Sequence, residues 1–477
     1  MGQGDVGIVG IGAALGARRL DLADVAAAWG RSGRGSLAVA DTDEDPLTLG
    51  WDAAVAALDA ARVPPGEIDG LWWGTTRAPF AEGPSWVHLA ATLRLGDSVV
   101  GALCCGSPHS GVEALLAAAD AIATGTVERA LVIMSDAPRP GLGSGAEIAL
   151  GAGAVAVVLS HAGPAKLAQR ATRWITALDR YRGDLETDTR ESYDGRLFRE
   201  EVFVPTVSAC ASALDAGAET RWSLPDPDGR LAAVVAKRLG ATVVSTATRR
   251  HAGDLGAAAA FAGLIDTLAE PGVSALCAFG GGRSTAVEIA VTAAVPGVVA
   301  ASAALGSAGR PIGYAELLRA RGQLVASGER VEMAVPPGSA MFVRDNRTVL
   351  GLIGARCDNC GAVNFPPGVH PTCTACGGDK FTESELSRTG TVQTFVINQT
   401  MPAPFVAPLP LVCVDLDDGS RVMFQGQGPG DGIEIGAPVE LVLRRYTIER
   451  GVPIYGWKVR ARAVAVDGGG VEAGVAS

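Results

Sequence analysis

Leu103-Cys-Cys-Gly-Ser-Pro-His-Ser-Gly-Val-Glu-Ala-Leu-Leu116 is the stretch on which the reading of the fold turns. An apolar strand-like run enters it, Gly106-Ser-Pro108 breaks that run, and an Ala-rich helical period leaves it from about Glu113. Strand, tight turn and buried helix in that order are the unit of a layered α/β fold. The same alternation continues outward. Residues 6–11, 68–73, 130–135, 152–160, 241–245 and 274–278 read as strands, with helices over 46–62, 114–124 and 258–268. Both halves hold a strand, a helix and a Gly-rich return, which predicts a duplicated core without a clean repeat period.

Composition narrows the function classes. Of 477 residues, 48% are hydrophobic and 63 are Gly, a profile of a tightly packed globular chain and not of a disordered or fibrous one. The net charge of −11 argues against nucleic acid as a partner, because phosphate binding needs a basic face. No basic leader precedes an apolar core at the N-terminus, so a cytoplasmic location is expected. The charge-free stretch 289–309 contains Pro296 and is mostly small residues; it reads as a buried strand and its following loop, not a bilayer helix, and no membrane partner is expected. Gly7-Ile-Val-Gly-Ile-Gly12 resembles a dinucleotide fingerprint, yet the third glycine would fall on Leu15. A strand ending in a Gly turn is the better reading.

Beyond Val335-Pro-Pro-Gly the chain changes character. Cys357-x-x-Cys360 and Cys373-x-x-Cys376 are separated by twelve residues, and two such knuckles supply four thiolates for a tetrahedral zinc. Four protein ligands leave no open position, so this zinc is structural. Short β-like runs follow. The expected organisation is a first domain over 1–335, a linker over 336–349, a second domain over 350–467 and a flexible tail over 468–477. An OB-like β pattern without a stripe of aromatic and basic residues again speaks against nucleic acid.

Candidate catalytic groups cluster in two loops, each preceding an Ala-rich helix. Cys105 and His109 lie at the start of the first, where a helix N-terminus lowers a thiol pKa. His251 and Asp254 lie in Arg249-Arg-His-Ala-Gly-Asp254, although an Asp there is also a common helix cap. Small thiols packed in a buried turn are the alternative for Cys104 and Cys105.

Taken in order, several motifs resemble the archaeal and bacterial type of 3-hydroxy-3-methylglutaryl-CoA synthase within the thiolase superfamily. They include Gly74-Thr-Thr-Arg-Ala-Pro-Phe, Ser110-Gly-Val-Glu-Ala-Leu-Leu, Ile133-Met-Ser-Asp, Gly151-Ala-Gly-Ala and Phe279-Gly-Gly-Gly. Arg356-Cys-Asp-Asn-Cys-Gly-Ala-Val-Asn-Phe-Pro and Tyr455-Gly-Trp-Lys-Val-Arg resemble the zinc-ribbon and OB-fold domain that usually accompanies such synthases as a separate partner. The resemblance implies an α/β, five-layer αβαβα thiolase-like domain with a C-terminal zinc ribbon and β-barrel. It also implies a homodimer, a partner thiolase or condensing enzyme, and acyl-CoA or an acyl-carrier thioester as substrate. The family's cysteine falls on Pro108, its histidine on Pro225, its asparagine on Asp254 and its glutamate on Thr76. Proline offers neither nucleophile nor base. The expected function is therefore an acyltransferase or condensing enzyme using Cys105, His109, His251 or Asp254 instead, with a catalytically silent acyl-CoA-binding scaffold as the alternative.

Overall fold

A computed structural model describes residues 6–191, 194–241, 243–244, 247–325, 346–401, 405–449 and 451–462. The chain divides into two compact units, 1–329 and 330–477. The expected boundary near 336, most of the expected linker and the expected tail over 468–477 lie outside the described residues. The end of that linker is helical, within Asn346–Gly351.

The first unit is built on two five-strand arrays of the same topology. In the first, Val100–Cys105, Gly70–Thr75 and Arg129–Asp136 run parallel, followed by antiparallel Gly153–Ser160 and Gly7–Leu15. In the second, Val243–Val244, Arg221–Ser223 and Gly272–Gly280 run parallel, followed by antiparallel Arg283–Val291 and Ala165–Trp174. The arrays meet where Gly7 and Ile8 pair with Lys166 and Ala165. The duplication is thus one of strand order. Strands such as Gly153–Ser160, buried along nearly their whole length, read as unbroken apolar runs because both faces are covered.

The helices supply those covers. Pro46–Ala61 begins with an Asp45 cap, a reciprocal Thr48 bond and Pro46 in its first turn. It lies on Gly7–Leu15 so closely that a Cβ on Gly12 would stand 2.3 Å from the Ala53 carbonyl oxygen. The glycines read as a terminal turn therefore lie inside a strand that continues to Leu15, and their smallness lets a helix approach. Ser110–Ala123 and Ala259–Leu264 share one apolar core through Leu115, Ala118, Phe261 and Leu264. The stretch 289–309 departs from the expected strand and loop: the strand ends at Val291, and a helix forms at Val298–Leu305.

The second unit carries a three-strand sheet, Val363–Asn364, Ile353–Cys357 and Phe381–Glu385. Next comes a closed barrel in the order Thr389–Asn398, Leu409–Leu416, Arg421–Gly426, Val452–Ala461 and Pro438–Glu449. Among the described residues, no helix is long and apolar enough to cross a membrane.

Candidate functional site

The strand Val100–Cys105 ends five residues before the helix Ser110–Ala123 begins. That gap separates Cys105 from the helix terminus expected to favour its thiolate. Burial instead pushes the Cys105 thiol above its ordinary pKa, and nearby Asp136 adds to the rise. Cys104 is pushed up to about 11, by burial first and then by Glu113 and Cys105.

His109 is buried and points across to the second array, its Nε2 2.8 Å from Thr285 Oγ1 and its Nδ1 3.2 Å from the Glu113 carboxylate. The His251 ring meets the Leu305 carbonyl through Nε2. Cys105, His109 and His251 line neither of the two cavities described next; Asp254 lines both.

These adjoining cavities share Pro108, Arg180, Asp254 and Gly256. The first is bounded also by Pro225, Phe198, Phe203 and Phe279, the second by Thr76, Arg77, Ser107 and Arg182. Thr76, Pro108, Pro225 and Asp254, distant in sequence, therefore line two neighbouring cavities. The turn Phe279-Gly-Gly-Gly282 backs it: a Cβ on Gly280 would stand 2.7 Å from Pro108 Cδ.

Asp136, Asp179, Asp226 and Asp254 line these cavities, and the partners of Asp254 and Asp136 differ. Asp254 Oδ2 accepts from both terminal nitrogens of Arg180 at 3.1 Å, and its Oδ1 accepts from the Gly256 amide at 3.0 Å. Both guanidinium nitrogens meet one oxygen, and the Gly256 amide holds the other. Asp136 is wholly buried and accepts from Thr76 N at 2.8 Å, Thr76 Oγ1 at 2.6 Å, Thr75 Oγ1 at 3.1 Å and Ala257 N at 2.6 Å. Burial raises its pKa to about 6, against the pull of those donors. Gly256 must be glycine here: its φ is +58°, and a Cβ would fall 2.0 Å from Asp136 Oδ2.

Sequence reasoning missed the cations. Arg180 and Arg182 lie in a stretch with no motif, and only the fold brings them to Asp254 and Pro108. A separate groove is lined by Arg34, Lys237, Arg249 and Arg250 with Asp226 and Asp228, and it shares Asp226 with the first cavity. Three chain segments supply those four cations, so no local basic run announced them.

In the second unit the four cysteine sulfurs all lie within 4.8 Å of one another, with Cys357 and Cys376 at 3.6 Å and Cys360 and Cys373 at 3.7 Å. Tetrahedral thiolates on zinc stand about 3.8 Å apart, so the donor set fits that metal. The knuckles match. Gly361 N donates to Cys357 O at 2.8 Å and Gly377 N to Cys373 O at 2.9 Å, with φ near +77° and +76° at these glycines. Asn359 and Asn364 point their amide nitrogens at Cys376 and Cys373, an outer shell that orients the thiolates. The bound zinc would hold the knuckles together.

The fold and these sites define a thiolase-like α/β unit joined to a zinc ribbon and an OB-type barrel. Comparison with known proteins sharpens each part. Residues 349–382 match the family model "ChsH2, rubredoxin-like zinc ribbon domain", and residues 383–444 match "ChsH2, C-terminal OB-fold domain". The hydroxymethylglutaryl-CoA synthase of Pyrococcus furiosus is 33% identical over 159 residues, which is 33% of this chain and 45% of that protein. The chain thus spans about half the length of the curated relatives it matches. Among solved structures, MvaS in complex with 3-hydroxy-3-methylglutaryl coenzyme A aligns with a TM-score of 0.61 at 20% identity, over 70% of this chain and 95% of that one. The HMG synthase of the curacin biosynthetic pathway, in complex with acetyl donor-ACP, aligns with a TM-score of 0.58 at 18% identity, over 70% and 92%. The chain therefore joins a domain similar to hydroxymethylglutaryl-CoA synthases to a zinc ribbon and OB-fold of the ChsH2 type.

Proposed function

We propose that this chain binds an acyl thioester of coenzyme A or of a carrier protein beside Pro108 and makes or breaks a carbon–carbon bond in it without forming an acyl-enzyme. One observation supports this reading: Thr76, Pro108, Pro225 and Asp254 line two adjoining cavities that share Pro108 and Asp254, and no cysteine lines either. The positions where the resemblance puts nucleophile, base and acid are thus assembled but chemically changed. The groove bearing Arg34, Lys237, Arg249 and Arg250 offers cations to the phosphates of the carrier.

In this reading Asp254 is the base. In the cleaving direction its carboxylate takes the hydroxyl proton of a 3-hydroxyacyl thioester, and the bond between the second and third carbons breaks. A carbonyl compound leaves, and the electron pair passes to the thioester enolate, which the same proton then quenches at carbon. The reverse sequence condenses the two. Arg180 orients Asp254 and places positive charge beside the developing oxyanion.

Intact-protein mass measurement after incubation with acetyl-, malonyl- and acetoacetyl-CoA tests the absence of an acyl-enzyme. The expected result is thioester binding without a covalent adduct; a stoichiometric acyl mass mapped to Cys105 would overturn the reading. Asp254→Asn is expected to keep thioester binding and lose turnover of 3-hydroxyacyl thioesters by about 100-fold or more. Full turnover in that variant would remove Asp254 as base. Binding without turnover in the parent protein would instead mark a silent scaffold for another condensing enzyme. A homodimer belongs to this proposal. Val100–Cys105 is an edge strand whose Val100, Gly101 and Ala102 are exposed, an apolar ladder suited to a second copy.

A further inference from the structure

We propose that Asp226 is a second proton-transfer group of the site, receiving the proton that Asp254 takes from the substrate hydroxyl and delivering it to carbon 2 of the acyl thioester. This rests on the acyl-thioester reading above and adds a catalytic residue to it. Asp226 and Asp254 line the first cavity together with Pro108 and Pro225, and both line a smaller neighbouring pocket with Leu255 and Ala259. Of the carboxylates in that cavity, Asp226 alone also lines the groove bearing Arg34, Lys237, Arg249 and Arg250. Asp254 lines the second cavity instead. A carrier held by those cations enters from the Asp226 side. Carbon 2, bonded to the thioester carbon, therefore lies toward Asp226, and the hydroxyl on carbon 3 lies further in, toward Asp254.

Hydrogen bonding separates Asp226 from its neighbours. Asp254 is held at both oxygens, by Arg180 and by the Gly256 amide. Asp179, also in the first cavity, accepts from the Gly281 amide at 3.2 Å and does not line the groove. Asp228 lines the groove but not the cavity, and accepts from the Arg230 and Leu231 amides at 2.9 and 3.0 Å where the helix Leu231–Leu239 begins. The Ala232 amide donates to Asp226 Oδ1 at 3.3 Å, and Oδ2 accepts no hydrogen bond among the described residues. Arg249 Nε donates to the Asp226 carbonyl oxygen at 2.7 Å, which fixes the backbone and leaves the carboxylate to the substrate. Burial, with Asp228 adding to it, raises the Asp226 pKa against the pull of the Ala232 amide and Arg249, so a proton is held there more readily than on an exposed carboxylate.

The proton count closes. In the cleaving direction the hydroxyl proton passes to Asp254 as the bond between carbons 2 and 3 breaks, and the electron pair of that bond enters the thioester enolate. The proton moves from Asp254 to Asp226 and on to carbon 2, which leaves both carboxylates ionised as they began. In the condensing direction Asp226 removes the proton from carbon 2.

The test is loss of deuterium from acetyl-CoA fully deuterated at carbon 2, followed by mass spectrometry in ordinary water with the full-length, zinc-loaded protein. The parent is expected to wash the label out. Asp226→Asn is expected to slow that exchange by about 100-fold or more. Asp254→Asn, which acts at the hydroxyl, is expected to exchange within about threefold of the parent while losing carbon–carbon cleavage. Asp226→Asn should bind acetyl-CoA within about twofold of the parent, and Asp226→Glu, which restores a carboxylate, should recover at least about a tenth of the parent's exchange. A glutamate variant no better than the asparagine one would mark a structural role and overturn the proposal. Exchange kept in Asp226→Asn but lost in Asp254→Asn would assign both transfers to Asp254, overturning the second group and leaving the acyl-thioester reading standing. Binding without exchange in the parent would overturn both.

Discussion

Asp136 gathers donors from two segments of chain, Thr75 and Thr76 on one side and Ala257 on the other, so its charge state bears on stability as well as on the cavity. Its folded pKa of about 6 lies above the ordinary 3.8, so between those values the folded chain holds the proton that the unfolded chain has lost. Its contribution to stability is therefore complete below pH 4 and declines as pH rises to about 6, by at most about 1.4 kcal/mol per pH unit. Urea midpoints of the parent and of Asp136→Asn should show the parent's advantage shrinking between pH 4.5 and 6.5; an advantage that grows with pH would contradict this. Asp136 was visible in the sequence only as the last residue of Ile133-Met-Ser-Asp. Its function as a clasp was not legible, because Ala257 is 121 residues away and contributes a backbone amide that any residue but proline could supply.

Elements show the same division between local and distant information. The zinc knuckles were fully legible, since spacing, turn glycines and ligands all lie within twenty residues of chain. One zinc per chain is the expected content. Cys373→Ser should abolish it and lower the thermal stability of the ribbon, measured by metal release to a chromogenic chelator and by calorimetry; a fully metallated variant would contradict the site. The strand and helix around Cys105 were also legible, but their joint was not. The strand ends five residues before the helix starts, and burial raises the Cys105 thiol pKa. Boundaries of this kind are set by packing: Pro108 sits against Gly280, on a strand hairpin that local pattern cannot bring to it.

Across the whole first unit, strand alternation and the suggestion of two similar halves were readable, while the shared strand order needed the fold. The exposed edge Val100–Cys105 makes a prediction at this scale. Ala102→Arg should halve the mass seen by sedimentation velocity, since a charged side chain on an edge opposes strand pairing, and an unchanged dimer would place the interface elsewhere. The serial layout of the two arrays also bears on how the chain is made. All five strands of the first array lie before residue 161, and those of the second begin only at Ala165. On the ribosome the first array can gather while the second is still being translated. The Ala257 donor to Asp136 and the Gly280 contact to Pro108 come from the part made later, so the cavity can close only when both arrays are present.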